Sequence, residues 1–340
     1  MSKTQMKKAR EPITPMKILN DLWAARVSLT LAAAVDLDIF TLIAQGNKTA
    51  ADITKALGAP KRGVERLLDS LVAIGYLTKR GTQFGLTPVA DTFLVRTKPS
   101  FIGPMADETR MTLPGWMQLP DVVRSGKSVS AVDTAEGREF FPRLVKAIFP
   151  ITYNAARGFV QSFPQAKLKK IERVLDVAAG SGAWSLPFAQ AIPNARVTAL
   201  DYPEVTVVTR EYAQQFRVAH QYDYLEGDLR QIDFGQKQYD VVILGHIIHS
   251  EGEKWGKVLI TKSYKALKPG GSLVIAEMIP NDTRTGPLFP VLFGLNMILH
   301  TEEGDVFTMA QYKQWLKQAG FTAVKTVEVD APSPLIVATR

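Results

Sequence analysis

The stretch VLDVAAGSGAW, Val174 to Trp184, restricts what this chain can fold into more than any other. Val174, Leu175 and Val177 have the character of a buried parallel strand. Gly180 and Gly182 then permit a tight turn and let a ligand approach the backbone with no Cβ in the way. A helix after the turn would offer free N–H groups and the positive end of its dipole. Such a turn on its own also fits a plain βα loop. A second strand, Ala195 to Leu200, ends in Asp201. That places an acid about twenty residues beyond the glycines, where a doubly wound sheet sets a carboxylate against ribose hydroxyls. Position 185 is Ser185 rather than a third glycine, which argues against a dinucleotide pyrophosphate and for a ligand with one nucleoside.

From residue 171 strands and helices alternate. Strands are predicted at 173–177, 196–200, 223–226, 239–244 and 272–279, with a helix over 255–267 and another over 310–319. The last two strand-like runs, 322–329 and 334–339, are separated by too few residues for a parallel crossover. The sheet should therefore finish in an antiparallel hairpin, unlike an all-parallel dinucleotide fold.

Ahead of this half lie three segments. Residues 1–14 read as a disordered basic tail, with no apolar stretch behind it to make a secretory signal. Residues 15–100 carry an apolar helix (Ile18, Leu19, Leu22, Trp23, Val27, then a nearly continuous run from Leu29 to Ile43). After it come a short helix capped at Thr49, a second helix over 61–74, and a hairpin turning at Arg80-Gly81. Helix, helix, hairpin is a winged helix. The apolar run needs cover on more than one side, from a partner subunit or from the chain's own second domain. Residues 101–170 form a helical layer rich in aromatics and methionine, with a kink expected at Pro150, suited to covering an apolar substrate.

The 340 residues suit two domains, and 46% hydrophobic content supports a sizeable core. With no cysteine, disulfides, thiolate metal sites and a cysteine nucleophile are excluded, and a cytoplasmic setting fits. No apolar run long enough to span a bilayer is expected. The net charge of +8 is spread along the chain. The reading helix of the winged helix mixes Lys61, Arg62 and Arg66 with Glu65 and Asp69, so a nucleic-acid partner is not expected.

The glycine turn, Asp201, the GDL at Gly227 to Leu229 and the closing hairpin resemble a class I S-adenosylmethionine-dependent methyltransferase. The ordered set VLDVAAGSG, LDYPEV, EGDL, YDVVILGHIIHS, LKPGGSLVIAEMIP and LKQAGF sharpens this. With the winged helix and helical layer ahead of it, it resembles the small-molecule O-methyltransferases of the caffeate and hydroxyindole type. The resemblance implies an α/β fold, S-adenosylmethionine as cofactor, a hydroxylated small molecule, aromatic or polyketide-like, as substrate, and a homodimer built on the amino-terminal domain, with no nucleic acid or membrane as partner.

It also assigns roles. Gly180 and Gly182 would lie under the methionine half and ribose. Asp201 would accept from the ribose hydroxyls and Tyr202 would cover the adenine. Asp228 would accept from the adenine amino group, with Leu229 against the ring. His249 stands at the general-base position and Glu277 at that of an orienting acid. Phe293, Asn296, Met297 and Thr301 would border the substrate. His246 makes a His-x-x-His spacing with His249, but no clear third ligand is legible and no metal is expected.

Four positions depart from the family pattern. Ser250 and Glu251 stand where many members have aspartate and tryptophan. Val306, with Asp305 beside it, stands where plant members have a second orienting glutamate. Gly245 replaces a common cofactor-side lysine. These departures leave room for a member that keeps the cofactor but performs hydroxylation, decarboxylation or cyclisation. A winged-helix DNA-binding regulator is the more distant rival.

Overall fold

The computed structural model describes residues 13–129 and 140–340. Most of the expected basic tail, residues 1–12, lies outside the described residues. The chain divides into two compact units, residues 1–109 and 110–340.

In the first unit, α1 (Met16–Asp36) and α2 (Ile39–Ala44) precede α3 (Ala50–Leu57) and α4 (Lys61–Ala73). The antiparallel pair β1 (Leu77–Arg80) and β2 (Gln83–Leu86) and the short α5 (Pro88–Phe93) follow. This is the winged-helix layout. Thr49 and Asp52 form a reciprocal capping box on α3, and Gly58 ends that helix in a left-handed conformation. Ile39, Phe40, Ile53, Leu68, Leu71 and Phe84 form the core. On α4 the charges pair locally, Lys61 with Glu65 and Arg66 with Asp69, while Asp69 also meets Lys79 of the wing.

Two expectations about α1 need correction. The run from Leu29 to Ile43 is largely covered inside its own unit, because Ala32, Ala34, Val35 and most of α2 turn into that core. The uncovered apolar surface lies upstream, at Ile18, Leu22, Trp23, Val27 and Leu29. And α1, with 21 residues and a mean hydropathy of 1.3 over its most apolar window, is long and apolar enough by those two measures to cross a bilayer.

Helix α6 (Met105–Trp116) runs across the division between the units. The second unit continues with α7 (Leu119–Ser125), α8 (Phe141–Gln161) and α9 (Gln165–Leu168). Helix α8 passes through Pro150 as one helix. The sheet is built from β3 (Arg173–Val177), β4 (Arg196–Asp201), β5 (Tyr222–Glu226), β6 (Tyr239–Gly245), β7 (Leu267–Ala276), β8 (Ala323–Val327) and β9 (Leu335–Thr339). Its helices are α10 (Leu186–Ala191), α11 (Pro203–Gln215), α12 (Ile248–Ala266), α13 (Leu288–His300) and α14 (Met309–Ala319).

Strand order is β5-β4-β3-β6-β7-β9-β8. The pairs from β5 through β7 are parallel, and β9 lies antiparallel to both β7 and β8, which is the expected closing hairpin. Alternate residues of each strand feed two cores. Val174, Val241 and Ile243 pack on the side of α8 and α10. Leu175, Val177, Val242 and Leu244 pack on the side of α12 and α14. The chain order reverses between β3 and β6, so the crevice outside the carboxyl ends of those two strands is where a ligand is bound in open α/β sheets.

Candidate active site

The glycine turn sits at that crevice. Gly180 and Gly182 have φ of +59° and +73°, a region costly to any side-chain-bearing residue. A Cβ at either would also come 3.0 Å from a neighbour, Val145 Cγ1 and Thr209 Cγ2 respectively. Ala178 shares the left-handed conformation at +55°. The turn is therefore tightly wound and closely packed against Val145 and Thr209.

Asp201, the last residue of β4, ties this turn to the next. Its Oδ2 accepts from Gly180 N and its Oδ1 from Tyr202 N, both at 2.8 Å. Burial nonetheless pushes its carboxyl up to about 6, the two amides opposing. Tyr202 forms the N-cap of α11. Past β5, Gly227 N donates to Asp201 O, and Asp228 Oδ1 accepts from Arg230 N at 2.8 Å. So Asp201 and Asp228 stand at adjacent strand ends. Leu229 turns into the core on the α12 side, while its carbonyl accepts from Lys262 Nζ at 2.7 Å.

The third part is on the other side of the reversal. Glu277 immediately follows β7, which ends at Ala276 rather than at the expected 279. His249 lies in the first turn of α12, directly after β6. Because β6 and β7 are neighbours, the two side chains meet: His249 Nδ1 is 2.6 Å from Glu277 Oε2. Glu277 Oε1 accepts from the backbone N–H of Ile248 and of His249 at 2.7 and 3.2 Å. Burial opposes charge on Glu277, which is only 3% exposed, but the imidazole, its hydrogen bond and the amides outweigh it and hold the carboxyl below its ordinary range.

His246 comes three residues earlier, in the connection between β6 and α12, at φ +60°. Its Nδ1 is buried with no hydrogen-bond partner among the described residues. Burial lowers its pKa to about 4, so the ring is neutral near pH 7. Donor atoms of His246, His249 and Glu277 lie within 4.8 Å of one another. Two of the three are already engaged with each other.

Of the four substrate-side candidates, Phe293 meets His249 edge-on, ring centroids 5.0 Å apart at 89°. Asn296 is half-buried on the same helix, and Met297 is buried. Thr301 is not a free group. Its hydroxyl donates to Met297 O at 2.7 Å and accepts from Gly304 N at 3.0 Å, closing the end of α13.

The departures acquire physical form. A Cβ at Gly245 would fall 2.3 Å from Trp184 Cδ1, so the indole occupies the volume any side chain there would need. Val306 is buried, and Asp305 turns its carboxylate to the Val306 amide and toward Arg284. Ser250 Oγ donates to Ile247 O. Glu251 is buried and accepts from Arg230 Nε at 2.7 Å.

Three further features are tertiary and escape local sequence patterns. Arg230 and Glu251 pair across a sequence separation that no local pattern spans. Trp184 on Gly245 is likewise a tertiary contact. Asp176 on β3 is buried with Oδ2 unpartnered among the described residues, and desolvation raises its carboxyl to about 7, against a hydrogen bond from Ser185. Its only trace was a charged residue inside an otherwise apolar strand.

The crevice fits S-adenosylmethionine. It has a glycine turn in the left-handed backbone region, a carboxylate at each of two adjacent strand ends, and a His–Glu pair at the strands on the other side of the reversal. Known proteins agree. The family model of the O-methyltransferase domain matches residues 151–322, and that of the O-methyltransferase dimerisation domain matches residues 20–96. The chain is 30% identical over 329 residues to a tetracenomycin polyketide synthesis 8-O-methyl transferase of Streptomyces glaucescens, covering 95% of this chain and 96% of that one. It is 27% identical to the acetylserotonin O-methyltransferase of Gallus gallus, covering 88% and 90% of the two chains. Human N-acetylserotonin methyltransferase, solved in complex with the cofactor, superposes with a TM-score of 0.83 at 25% identity, covering 98% of this chain and 99% of that one. The chain thus belongs to the O-methyltransferase family and is an S-adenosylmethionine-dependent O-methyltransferase.

Proposed function

We propose that this enzyme methylates a phenolic hydroxyl of a small polyketide-derived aromatic, with His249 as general base and Glu277 as the acid that orients it. The 2.6 Å contact between His249 Nδ1 and Glu277 Oε2 carries this reading. With Nδ1 donating to the carboxylate, the neutral ring keeps its lone pair on Nε2 and offers it to a hydroxyl. A phenol, like tyrosine with a pKa near ~10, is scarcely ionised at neutral pH, so a positioned acceptor is needed. The bound cofactor supplies an electrophilic methyl group on a sulfonium. His249 Nε2 would take the proton of the substrate hydroxyl, and Glu277 would offset the resulting imidazolium charge.

The aromatic class is favoured by the apolar side of the crevice, where Phe293 lies against His249, and by the polyketide-modifying relative. Gly180, Gly182, Asp201, Tyr202, Asp228 and Leu229 form the cofactor's side of the site in this reading. Asn296 and Met297 join Phe293 on the substrate's side, with Thr301 serving as their structural support. The exposed apolar side of α1 covers its counterpart in a homodimer, rather than a membrane, and the enzyme works in the cytoplasm. The mixed charges of α4, with Lys61 and Arg66 paired to acids of the same helix, disfavour a phosphate-binding role for the winged helix. The domains are an amino-terminal dimerisation domain over 15–100, a helical substrate layer over 101–170 and a catalytic domain over 171–340.

The test is incubation of the purified protein with cofactor and a panel of naphthols, hydroxynaphthoates and simple phenols, read by mass spectrometry. A product heavier by one methyl group on oxygen supports the assignment. A second reading, cofactor-dependent chemistry without methyl transfer, draws on the buried Val306 at the position of a second orienting acid. A product lighter by carbon dioxide or heavier by one oxygen would favour it instead.

A further inference from the structure

The turn that carries His249 is mechanically separate from the rest of α12. Gly252 breaks the helix with φ +74° and ψ 178°. A Cβ at Gly252 would come 2.4 Å from Glu303 O, so the break is enforced by close packing as well as by conformation. Residues Ile248 to Glu251 therefore form one isolated helical turn. It is held by ties to three other segments. Glu277 accepts from the amides of Ile248 and His249 at its start. Asp305 N donates to His249 O at 2.9 Å. Arg230 Nε donates to Glu251 Oε2 at 2.7 Å at its end.

The Arg230 tie differs from the others because of where it leads. Arg230 is two residues beyond Asp228, and its own amide donates to the Asp228 carboxylate. The segment from Gly227 to Arg230 is thus both the outer wall of the cofactor's base pocket and the anchor of the His249 turn. Glu251 is only 7% exposed, and the guanidinium also lies 5.1 Å from the Trp255 ring centroid beyond the break. The 2.7 Å bond is charge-assisted and directed from the guanidinium Nε–H, so it ties a displacement of the wall to one of the turn. Neither residue touches reacting atoms. Both are positioning residues.

We propose that Arg230 and Glu251 couple filling of the cofactor's base pocket to the placement of His249, so that the base reaches its working position as the cofactor enters. This rests on the assignment above of Asp228 to the adenine and His249 to the proton. Such coupling is reciprocal for binding, so a substrate held at His249 should in turn tighten the cofactor.

The experiment is hydrogen exchange by mass spectrometry on the full-length protein, with and without S-adenosylhomocysteine. In the native protein the ligand should slow exchange at 178–182, at 226–230 and also at 247–252. In Glu251→Gln and in Arg230→Met the first two segments should remain protected while 247–252 no longer responds. In the same variants kcat should fall, and the tightening of S-adenosylhomocysteine by a bound phenol, about 5- to 150-fold for an ordinary coupling between sites, should be lost. Should either variant fail to fold, Arg230→Lys keeps the charge without the directed Nε–H and should lose part of the response at 247–252. Full protection of 247–252 in Glu251→Gln or Arg230→Lys overturns the coupling. So does native protein in which 226–230 is protected and 247–252 is not. No protection at either 178–182 or 226–230 would instead bring down the cofactor assignment, and the coupling with it.

Discussion

Nδ1 of His249 lies 2.6 Å from Oε2 of Glu277, while the other oxygen of that carboxylate holds the backbone of the turn on which His249 rides. One carboxylate thereby sets both the tautomer of the ring and the position of its Cα. His249→Gln should lower kcat by about 10²- to 10⁴-fold, the usual contribution of positioned base catalysis. Binding of S-adenosylhomocysteine by calorimetry should be nearly unchanged. Glu277→Gln should lower kcat less. A His249→Gln enzyme with native turnover on an unactivated phenol would show that proximity alone suffices.

Asp201 accepts two backbone hydrogen bonds and stands at the end of β4. Asp201→Ala should weaken S-adenosylhomocysteine by about 1–3 kcal/mol through stranded hydrogen-bond partners. Because burial raises its carboxyl to about 6, affinity should also fall as pH drops through that value and the acid becomes neutral. A flat affinity between pH 5 and 8 would count against its role.

Asp176 gives a pH dependence of stability with a definite sign. Its folded pKa, about 7, lies above the ordinary 3.8. Below 3.8 it is neutral in both folded and unfolded chains, and its contribution is fully present. Between 3.8 and about 7 only the folded chain holds the proton, so stability is lost as pH rises through that window, by up to about 1.4 kcal/mol per unit of displacement. Asp176→Asn should flatten this trend when melting temperatures at pH 5 and pH 8 are compared. An unchanged difference would refute the assignment.

The indole of Trp184 fills the space above Gly245. Gly245→Ala should therefore destabilise the protein by about 1–3 kcal/mol through overpacking. Combining it with Trp184→Val should recover much of that loss. Additive effects in thermal unfolding would mean the two positions do not compete for one volume.

The apolar side of α1 should be the centre of the dimer. Trp23→Glu or Leu22→Glu should give a monomer by light scattering at micromolar concentration, buried aromatic anchors being worth about 2 kcal/mol or more in such interfaces. A dimer that survives both substitutions would place the interface elsewhere.

The features legible in the sequence were those with short-range signatures. A β-branched run followed by glycines announced β3 and its turn. Asp201 is readable because it ends a strand, and Asp228, two residues past β5, is readable only through the GDL segment of the resemblance. The Thr49 capping box and the Gly58 stop were likewise local. What stayed hidden depends on which strands become neighbours. Resemblance alone paired Glu277 with His249, and the physical reason is that β6 lies beside β7. Arg230 with Glu251, and Trp184 with Gly245, are contacts across elements and leave no periodic trace. The cover of Leu29 to Ile43 was misjudged for a related reason. An apolar run says that burial is needed, and the fold decides that α2 and α4 of the same unit supply much of it.

The candidate groups around the crevice are carried by different parts of the molecule. Asp201, Asp228, the glycines and Glu277 stand at or just past the carboxyl ends of parallel strands, where a displaced backbone would disturb the sheet. Phe293, Asn296 and Met297 ride on α13, outside that sheet and tied off at its end by Thr301. On the proposed assignment, mutation along α13 away from Phe293 can reshape the acceptor's wall while leaving the strand ends in place. A lineage built on this plan can exchange one acceptor molecule for another by small steps, each of them an active enzyme.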